Sequence, residues 1–349
     1  MSQSSNKPVL TTSMLTVSSV IILLTACSAR GLRFPITMPF ISPSLPAGES
    51  YLCTGVAVDT EADLYITGFT PVASSSTVHH LMLIGCEAPV SGLQTNLWNC
   101  GGSLSEPGLE SPGTTCPGSA ASQVLYMWSL DAGPLVFPPS VSLTVGTNSS
   151  IRHLVLQVHY VSKEAIPETG DTSGVVVEYQ TDQTDFSAGI VSLHVHGSLP
   201  ANSVSHWDSA CRLLGTAPVQ PWASLGHTHH HGRLVTGWTV SDNMTWSLLA
   251  STDPRNPQSF QPVSSGPTLY PGDILATRCV LQSHSDQVVV QGLASTMEMC
   301  DFFLYFWTRR EDIGNSPVGQ QCTNKGAPEV SWTTMGLTNL PPQSVTLSD

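Results

Sequence analysis

The sequence is poor in charged residues, above all in basic ones. Only 11% of its 349 residues are charged, and 25 acidic against 12 basic residues give a formal net charge of −13. Such a chain has no basic surface to offer to phosphate groups, so we expect no nucleic acid among its partners. The length of the chain is compatible with one large or two ordinary folded domains.

Long apolar runs are also missing. The apolar stretch at residues 17–24 is too short to cross a bilayer comfortably, and no later stretch could anchor the chain in a membrane. Small residues follow it, which is typical of a signal peptide cleaved near Ala29. We therefore expect residues 1–29 to be a signal peptide and the mature protein to be secreted through the secretory-pathway lumen. In a bacterial context Leu24–Cys27 would be a lipobox instead, with Cys27 as a lipid anchor.

The cysteine count agrees with export. Nine cysteines are present, and removing Cys27 with the leader leaves eight (9 − 1 = 8), an even number suited to an oxidising compartment. We expect four disulfide bonds, whose pairing the spacing alone does not decide, since eight cysteines allow about 105 pairings. The sequons at Asn148 and Asn243 are predicted glycosylation sites.

No amphipathic helix of a dozen residues is evident, whereas glycine (28) and proline (26) are frequent. Short apolar runs separated by turn residues predict an all-β protein of antiparallel sandwiches. The predicted strands include residues 79–86, 151–161, 173–180, 232–240, 273–281, 287–293 and 301–309.

The polar segment 181–189 predicts a boundary between two domains. We expect an N-terminal sandwich over residues 30–182, a C-terminal sandwich over 183–330, and an irregular tail at 331–349. Within the first domain, residues 101–120 are expected to form a long loop held by Cys100 and Cys116.

Four of the 12 histidines lie between residues 227 and 231. If this segment is a strand, His227 and His229 share a face about 6.6 Å apart and can bind one metal ion, together with ligands from elsewhere. His159 and Gln157 occupy the polar face of another predicted strand, and Gln157 is a candidate catalytic residue. His79 and His80 are adjacent, so joint ligation requires a bulge or a strand end.

Alternative interpretations apply to each histidine. A lone histidine is usually a surface or hydrogen-bonded residue, and a second pair with the same spacing, His194 and His196, adds a competing candidate. Met297 and Met299 lie on one face of a predicted strand, where methionine is usually part of the core. A thioether beside imidazoles would favour copper, and Cu(I) above all, over zinc.

Five motifs in this order resemble the copper type II, ascorbate-dependent monooxygenases, and most closely their peptidylglycine-hydroxylating branch: TVHHLMLIGC, LVLQVHY, HTHHHG, DILATRC and MEMC. The resemblance covers most of residues 45–330. It implies two copper ions, with ascorbate as reductant and O2 as co-substrate. His79, His80 and His159 would hold an electron-transfer copper, and the dioxygen-binding copper would have the ligands His227, His229 and Met299. His194, His196, His230 and His231 match no ligand of the family.

The resemblance also implies a fold and a disulfide pattern. The fold would be two antiparallel jelly-roll sandwiches packed side by side, with one copper on each and a solvent gap between. A further bridge of the family has no cysteines here, since Ser173 occupies one of its positions. The implied pairs are Cys53–Cys100, Cys86–Cys116, Cys211–Cys322 and Cys279–Cys300.

The implied reaction is hydroxylation of an unactivated C–H bond, nominally at the α-carbon of the C-terminal glycine of extended peptides. This is the first step of peptide amidation, and a separate lyase would be the partner acting on the product. Three positions that bind the peptide carboxylate in that branch are here Leu225, Asp301 and Phe303. The clamp is thus missing unless Arg212 or Arg233 replaces it.

Several functions therefore stay open. An amine or an acyl-glycine could be the substrate of the same chemistry. The chain could also be a copper-binding protein without turnover, or a zinc hydrolase that uses three histidines.

Overall fold

The structure, a computed structural model, is built almost wholly of β-strands. It describes residues 31–43, 49–58, 62–90, 93, 96–101, 114–117, 122–263 and 266–341. The expected signal peptide with Cys27, most of the expected loop at 101–120 and the end of the expected tail lie outside this range. Within it, no helix has the length and apolar character that a membrane crossing requires. The all-β prediction is confirmed.

The N-terminal half, as far as residue 182, contains ten strands and one short 3₁₀ helix at Lys163–Ala165 among its described residues. The strands are β1 Leu32–Thr37, β2 Ser50–Ala57, β3 Leu64–Val72, β4 His80–Cys86, β5 Trp98–Gly101, β6 Ser122–Ser129, β7 Leu135–Val136, β8 Val141–Val145, β9 His153–Tyr160 and β10 Gly174–Gln180.

The C-terminal half contains ten further strands and a 3₁₀ helix at Arg310–Asn315 among its described residues. The strands are β11 Phe186–Leu199, β12 Val204–Arg212, β13 Gln220–His227, β14 Gly232–Val240, β15 Trp246–Thr252, β16 Gln261–Pro262, β17 Ile274–Gln282, β18 Val289–Val290, β19 Asp301–Arg309 and β20 Gln321–Ala327.

These strands form three sheets. A five-stranded sheet (β5-β2-β9-β4-β6) belongs to the N-terminal half, and a four-stranded sheet (β12-β17-β14-β15) belongs to the C-terminal half. An eleven-stranded sheet passes through both halves in the order β1-β10-β3-β8-β11-β19-β13-β16, with β7, β18 and β20 at its sides. The two halves are hydrogen-bonded to each other within this sheet, where Phe186 and Ser187 of β11 pair in parallel with Val141 and Ser142 of β8.

Strand β19 shows why the sequence has the unbroken apolar run FFLYF. Phe302, Leu304 and Phe306 belong to the core of the C-terminal half, whereas Phe303 and Tyr305 belong to the core of the N-terminal half. Because successive side chains of a strand point to opposite faces, a strand covered on both faces must be apolar at every position. The central part of the large sheet is therefore shared by two hydrophobic cores.

Four disulfide bonds join the strands and loops around these cores. They are Cys53–Cys100, Cys86–Cys116, Cys211–Cys322 and Cys279–Cys300, the same four pairs that the resemblance implies. Each closes a loop that the unfolded chain would otherwise leave open, which lowers the entropy of the unfolded state.

Six of the seven strands predicted from apolar runs are present to within two residues at either end. The seventh is wrong: of residues 287–293 only Val289–Val290 are in a strand, because Val288, Val290 and Leu293 are exposed and no core covers them. Residues 331–341 contain no strand, yet they are anchored: Trp332 is buried, and its ring lies 4.2 Å from the guanidinium carbon of Arg278.

Candidate metal centres and the adjoining cavity

Three histidines from two paired strands form the first candidate centre. His80 begins β4 and lies opposite His159 of β9, and His79 directly precedes β4. Adjacent residues in a regular strand point to opposite faces, so the strand end is what allows His79 and His80 to approach one point. One ligand atom of each ring lies within 4.8 Å of those of the other two.

Burial holds these three imidazoles in the neutral form that metal binding requires. It lowers the pKa of His79 and of His80, and it lowers the pKa of His159 to about 4. The Nδ1 atoms of His79 and His80 are 3.2 Å apart. Both ring nitrogens of His159 are buried and make no hydrogen bond to any described residue. Three neutral imidazoles whose ring nitrogens lie this close together, with those of His159 unpaired, are a donor set that fits copper.

Two side chains of β2 and its preceding loop border His159. Tyr51 stacks on the His159 ring with a centroid distance of 4.0 Å and an interplanar angle of 11°. Its hydroxyl donates to the carbonyl of Leu293, 2.6 Å away. Glu49 lies 3.5 Å from Nε2 of His159 and accepts hydrogen bonds from the backbone and side chain of Ser295. The first centre is thus tied to the loop that leads to Met299.

His227 and His229 define the second candidate centre. His227 is the last residue of β13, and His229 lies beyond the strand, so the expectation of a continuous strand through both is wrong. Their ring centroids are nevertheless only 5.4 Å apart. The chain bends after His227 because the segment from His229 to His231 is bound by a buried carboxylate.

Hydrogen bonds orient both rings of the second centre. Nδ1 of His227 donates to Oε1 of Gln258 over 2.5 Å, and Nδ1 of His229 donates to the carbonyl of Met297 over 3.0 Å. Since both acceptors are oxygens, the Nε2 atoms carry the free lone pairs, the arrangement usual for histidines that bind metals. Burial lowers the pKa of His227 and lowers that of His229 to about 4. This pair also fits copper.

The carboxylate of Glu298 holds the second centre together. It is fully buried and accepts hydrogen bonds from the backbone N–H groups of His229, His231 and Met299, at 2.5, 2.8 and 2.7 Å. Burial raises the pKa of Glu298 to about 7, although the three N–H groups oppose the rise. The segment Met297–Met299 was expected to be a strand, but it lies outside the named strands: the backbone N–H of Met299 donates to this side chain, and that of Met297 donates to the carbonyl of Ala294.

The two centres face each other directly. The ring centroids of His80 and His227 are 6.3 Å apart, so the expected solvent gap does not separate them. Besides the contacts of Tyr51 and Glu49, the backbone N–H of Ser129 donates to the carbonyl of Gln258. The hydroxyl of Ser129 donates in turn to the carbonyl of His79 over 2.8 Å. These hydrogen bonds connect the N-terminal and C-terminal halves beside the histidines.

A cavity of about 380 Å³ is lined by residues of both halves, none of which is a candidate copper ligand. Gln157, two residues before His159, lines it, as do Phe303 and His194. The amide of Gln157 donates weakly to the sulfur of Cys100, 3.5 Å away. The remaining walls come from both halves and are mostly apolar or amide-bearing: Met82, Ile84, Cys100, Thr114, Thr115, Ser122, Gln123, Val124, Ile190, Ser192, Leu293, Gly319, Gln320 and Gln321.

The three positions of the missing carboxylate clamp differ in where they lie. Leu225 is buried in the N-terminal core and does not line the cavity. Phe303 lines it. Asp301 is buried and its Oδ1 lies 2.8 Å from Nδ1 of His194. Neither candidate replacement reaches the cavity: Arg212 binds Asp242 and the carbonyl of Gly272, and Arg233 binds Gln282 and two backbone carbonyls.

The other histidines have separate environments. His230 is exposed, and Nδ1 of His231 lies 3.3 Å from the carbonyl of Gln282. His196 is half-buried on β11. His194, which matches no ligand of the family, makes the contact with Asp301 described above. The predicted glycosylation sites Asn148 and Asn243 are both exposed.

Sequence reasoning did not identify Gln258, Glu298 or Tyr51. Glu298 had one signal, because it is a lone acidic residue between two methionines before a disulfide cysteine. Gln258 and Tyr51 stand in unremarkable polar and apolar surroundings, and only the fold brings them to the histidines.

Sequence comparison defines the class to which this fold and these centres belong. Residues 34–167 match the family described as "Copper type II ascorbate-dependent monooxygenase, N-terminal domain", and residues 186–335 match its C-terminal domain. The chain belongs to this family of copper- and ascorbate-dependent monooxygenases, enzymes that use O2.

Among individual relatives, peptidyl-glycine alpha-amidating monooxygenase A of Xenopus laevis is 30% identical over 310 residues, covering 88% of this chain and 31% of that protein. Peptidylglycine alpha-amidating monooxygenase of Rattus norvegicus is 29% identical, covering 91% and 31%. Dopamine beta-hydroxylase of Homo sapiens is 23% identical, covering 71% and 41%. The chain thus spans about a third of the length of the amidating enzymes that it matches.

Proposed function

We propose that the chain is a two-copper monooxygenase that hydroxylates an unactivated C–H bond with O2 and ascorbate. His79, His80 and His159 would hold the electron-transfer copper, and His227, His229 and Met299 the copper at which O2 reacts. The observation that carries the proposal is the pair of imidazole clusters, held neutral by burial, that face each other with the ring centroids of His80 and His227 6.3 Å apart. Both family domains match around them.

Two copper ions suit the reaction because each supplies one electron, whereas hydroxylation with O2 consumes two. Residues around the ligands keep the imidazole rings neutral and oriented for metal binding. Burial keeps the rings neutral, so no proton has to leave before a metal binds. Gln258 and the carbonyl of Met297 fix the rings of His227 and His229 with Nε2 free, and Glu298 keeps the Met299 backbone beside His229.

The substrate is proposed to enter the cavity beside the two centres. Two relatives are named peptidylglycine alpha-amidating monooxygenase, which supports a peptide ending in glycine as the nominal substrate. Hydroxylation at the α-carbon of that glycine, with a separate lyase acting on the product, is part of the proposal. The alternative, the same chemistry on another small molecule such as an amine or an acyl-glycine, is favoured by the side chains at the three clamp positions. Leu225 is buried in the core, Phe303 is apolar, and Asp301 is an acid.

Export to the secretory pathway is part of the proposal. The four disulfide bonds support it, since they persist in an oxidising compartment.

The test is metal analysis of the purified chain, followed by ascorbate-dependent O2 consumption with candidate substrates. We expect two coppers per chain, and one copper for each of the variants His159→Ala and His229→Ala. His196→Ala, which replaces a half-buried histidine outside both clusters, is the matched control and should keep both. Met299→Ala should abolish turnover, whereas a zinc hydrolase would keep its activity. Two bound coppers without product formation would show that the chain binds copper without turnover. Bound zinc without copper would overturn the proposal.

A further inference from the structure

A second cavity, of about 400 Å³, lies between the N-terminal and C-terminal halves, and we call it the seam cavity. Thr144 and residues 148–151 of the first half line it together with Ser187, Arg310 and Val318 of the second half. None of its described lining residues is a candidate copper ligand. Ser187 is also one of the residues through which β11 pairs with β8. Whatever fills the seam cavity therefore contacts both halves of the molecule.

The seam cavity has no charge to spare for an ion. Asp63 and Arg310 are the two charged residues in the described part of its wall, and their charges are opposite. The carboxylate of Asp63 accepts hydrogen bonds from the backbone N–H and the Nδ2 of Asn148, at 2.8 and 3.0 Å. The guanidinium of Arg310 donates to two backbone carbonyls and to the hydroxyls of Ser142 and Thr144. A neutral occupant suits this cavity better than an ion, because a buried ion without a counter-charge is unfavourable.

Two buried polar atoms in the wall have no partner. The hydroxyl oxygen of Ser187, a residue that is 2% exposed, and Oε1 of Gln123 make no hydrogen bond to any described residue. Buried polar atoms are normally paired, and leaving one unpaired costs free energy. An occupant with several hydroxyl groups would pair with both atoms and with the amide of Gln183 in the same wall. The chemistry of the wall thus points to a sugar.

Asn148 lies at the rim of the seam cavity, since it is exposed and also lines the cavity. It is the first residue of the sequon at residues 148–150, in the turn after β8. Its two hydrogen bonds to Asp63 hold the side-chain amide at this rim. The bond from Nδ2 uses one of two hydrogens, which leaves the other to be replaced by a sugar. Asn243 of the second sequon is exposed and lines neither cavity.

We propose that Asn148 is N-glycosylated and that the first sugar of its glycan, an N-acetylglucosamine ring, fills the seam cavity and joins the two halves. A lipid-diphosphate-linked oligosaccharide would be the donor. Nδ2 of Asn148 forms a bond to the anomeric carbon, the bond from that carbon to the diphosphate oxygen breaks, and Nδ2 loses one proton. The inference depends on the proposed export, because this modification belongs to the secretory route, but not on the copper chemistry.

The size of the seam cavity limits what enters it. At about 400 Å³ it is at the small end of ligand pockets, which span about 300–1,000 Å³. This volume suits one sugar ring and not a branched chain. The remaining sugars would extend into solvent past the exposed residues Asn148, Ser150 and Val318.

The first test compares the two sequons of one molecule. The chain is secreted from cultured mammalian cells, with a host leader in place of residues 1–29, and mass spectrometry of its peptides identifies the asparagines that carry glycans. A peptide N-glycosidase is then added to the folded protein. It should release the glycan of Asn148 at least about tenfold more slowly than that of Asn243, because the bond at Asn148 becomes accessible only when the structure opens locally. Absence of a glycan at Asn148, or equal rates of release in the folded protein, overturns the proposal.

Matched variants test whether the sugar joins the halves. Ser150→Ala removes the sequon and leaves Asn148 with its bonds to Asp63, whereas Ser150→Thr keeps the sequon and is the control. Ser150→Ala should lower the melting temperature by about 2–4 °C, and Ser150→Thr should not change it. Thr245→Ala, which removes the sequon of Asn243 at an exposed position, should not change it either. An unchanged melting temperature in Ser150→Ala would overturn the proposal.

Protein from a bacterial periplasm, which carries no such glycan, separates the sugar from the serine. There the wild type and Ser150→Ala should melt at the same temperature, and a difference as large as that of the mammalian proteins would contradict the role of the sugar. Copper content and ascorbate-dependent O2 consumption are measured on the same preparations. An enclosed glycan on a chain without copper would remove only the proposed function, and a two-copper enzyme with an accessible glycan would remove only this inference.

Discussion

The two candidate centres differ in what holds their histidines. At the first, the backbone ladder between β4 and β9 sets His80 opposite His159. At the second, Gln258 fixes the ring of His227, while His229 lies outside any strand and depends on Glu298 and the Met297 carbonyl. Many backbone hydrogen bonds hold a strand pair in place, whereas a few hydrogen bonds to side chains hold much of the second centre. Substitutions outside the ligands should therefore damage the second centre more than the first.

Acid should destabilise the folded, metal-free chain through the histidines of both centres alike. This is the largest effect that we expect. In the metal-free protein the pKa of His159 and that of His229 lie near 4, below the usual 6.5, because burial disfavours their charged forms. As the pH falls, protons bind these two histidines in the unfolded chain before they bind them in the folded chain. The free energy of unfolding is therefore highest above pH 6.5 and decreases as the pH falls toward 4. At pH 4 the loss is at most on the order of 3 kcal/mol per ring.

Urea unfolding of the metal-free chain between pH 7 and pH 4.5 measures this loss. The double variant His159→Asn/His229→Asn serves as the control, and its stability should decline less steeply. A wild-type stability that stays constant over this range would show that the rings are not held neutral by burial.

Glu298→Gln should break the second centre and spare the first. The amide replaces one acceptor oxygen by an NH₂ group, leaving at least one of three buried backbone N–H groups unpaired, at a cost of about 1–3 kcal/mol. We expect the copper content to fall from two to one per chain, with a lower melting temperature. Glu311→Gln, an exposed glutamate, is the control. Loss of both coppers, or of neither, would contradict the comparison.

Gln258→Leu should weaken the second centre without unfolding it. His227 would lose the acceptor that fixes its ring, and substitutions of such partners typically cost about 10–100-fold in metal affinity. Competition with a copper chelator should show this loss for one of two coppers. The control is Gln261→Leu at an exposed position of β16, which should bind both as before. Equal weakening of both coppers would mean that the centres share their support.

The smallest effect is expected at the first centre. Tyr51→Phe keeps the stacking on His159 and removes only the hydrogen bond to the Leu293 carbonyl, worth about 0.5–1.5 kcal/mol of unfolding free energy. Copper affinity of the first centre should change by less than about threefold. Tyr270→Phe, at an exposed position, is the control. Loss of the first copper in Tyr51→Phe would show that the ladder alone does not hold it.

Much of the fold could be predicted because period-2 patterns and unbroken apolar runs record which strand faces are buried. In β9 the alternate residues Leu154, Leu156, Val158 and Tyr160 belong to the N-terminal core as expected, and β19 is apolar from Phe302 to Phe306 because two cores cover it. The failures lie where the apolar pattern does not report burial or where a buried polar side chain takes the backbone donor. Val288, Val290 and Leu293 are apolar but exposed, and the backbone N–H of Met299 donates to the carboxylate of Glu298.

The candidate ligands could be proposed from motif order, yet their partners could not. Gln258 meets His227, and Asp301 meets His194 across a strand pair 107 residues apart in sequence. Such contacts are consequences of the register between distant strands. For the same reason the sequence alone does not show that the carboxyl group of Asp301 contacts His194.

Copper X-ray absorption of the fully reduced protein tests whether these residues form two distinct copper centres. With two coppers bound, we expect nitrogen scattering from imidazoles together with a sulfur shell from one ligand. The sulfur shell should vanish in Met299→Ala while nitrogen scattering remains, and it should persist in Met297→Ala. A spectrum without sulfur, or one that Met299→Ala leaves unchanged, would contradict the assignment of two distinct copper centres to these residues.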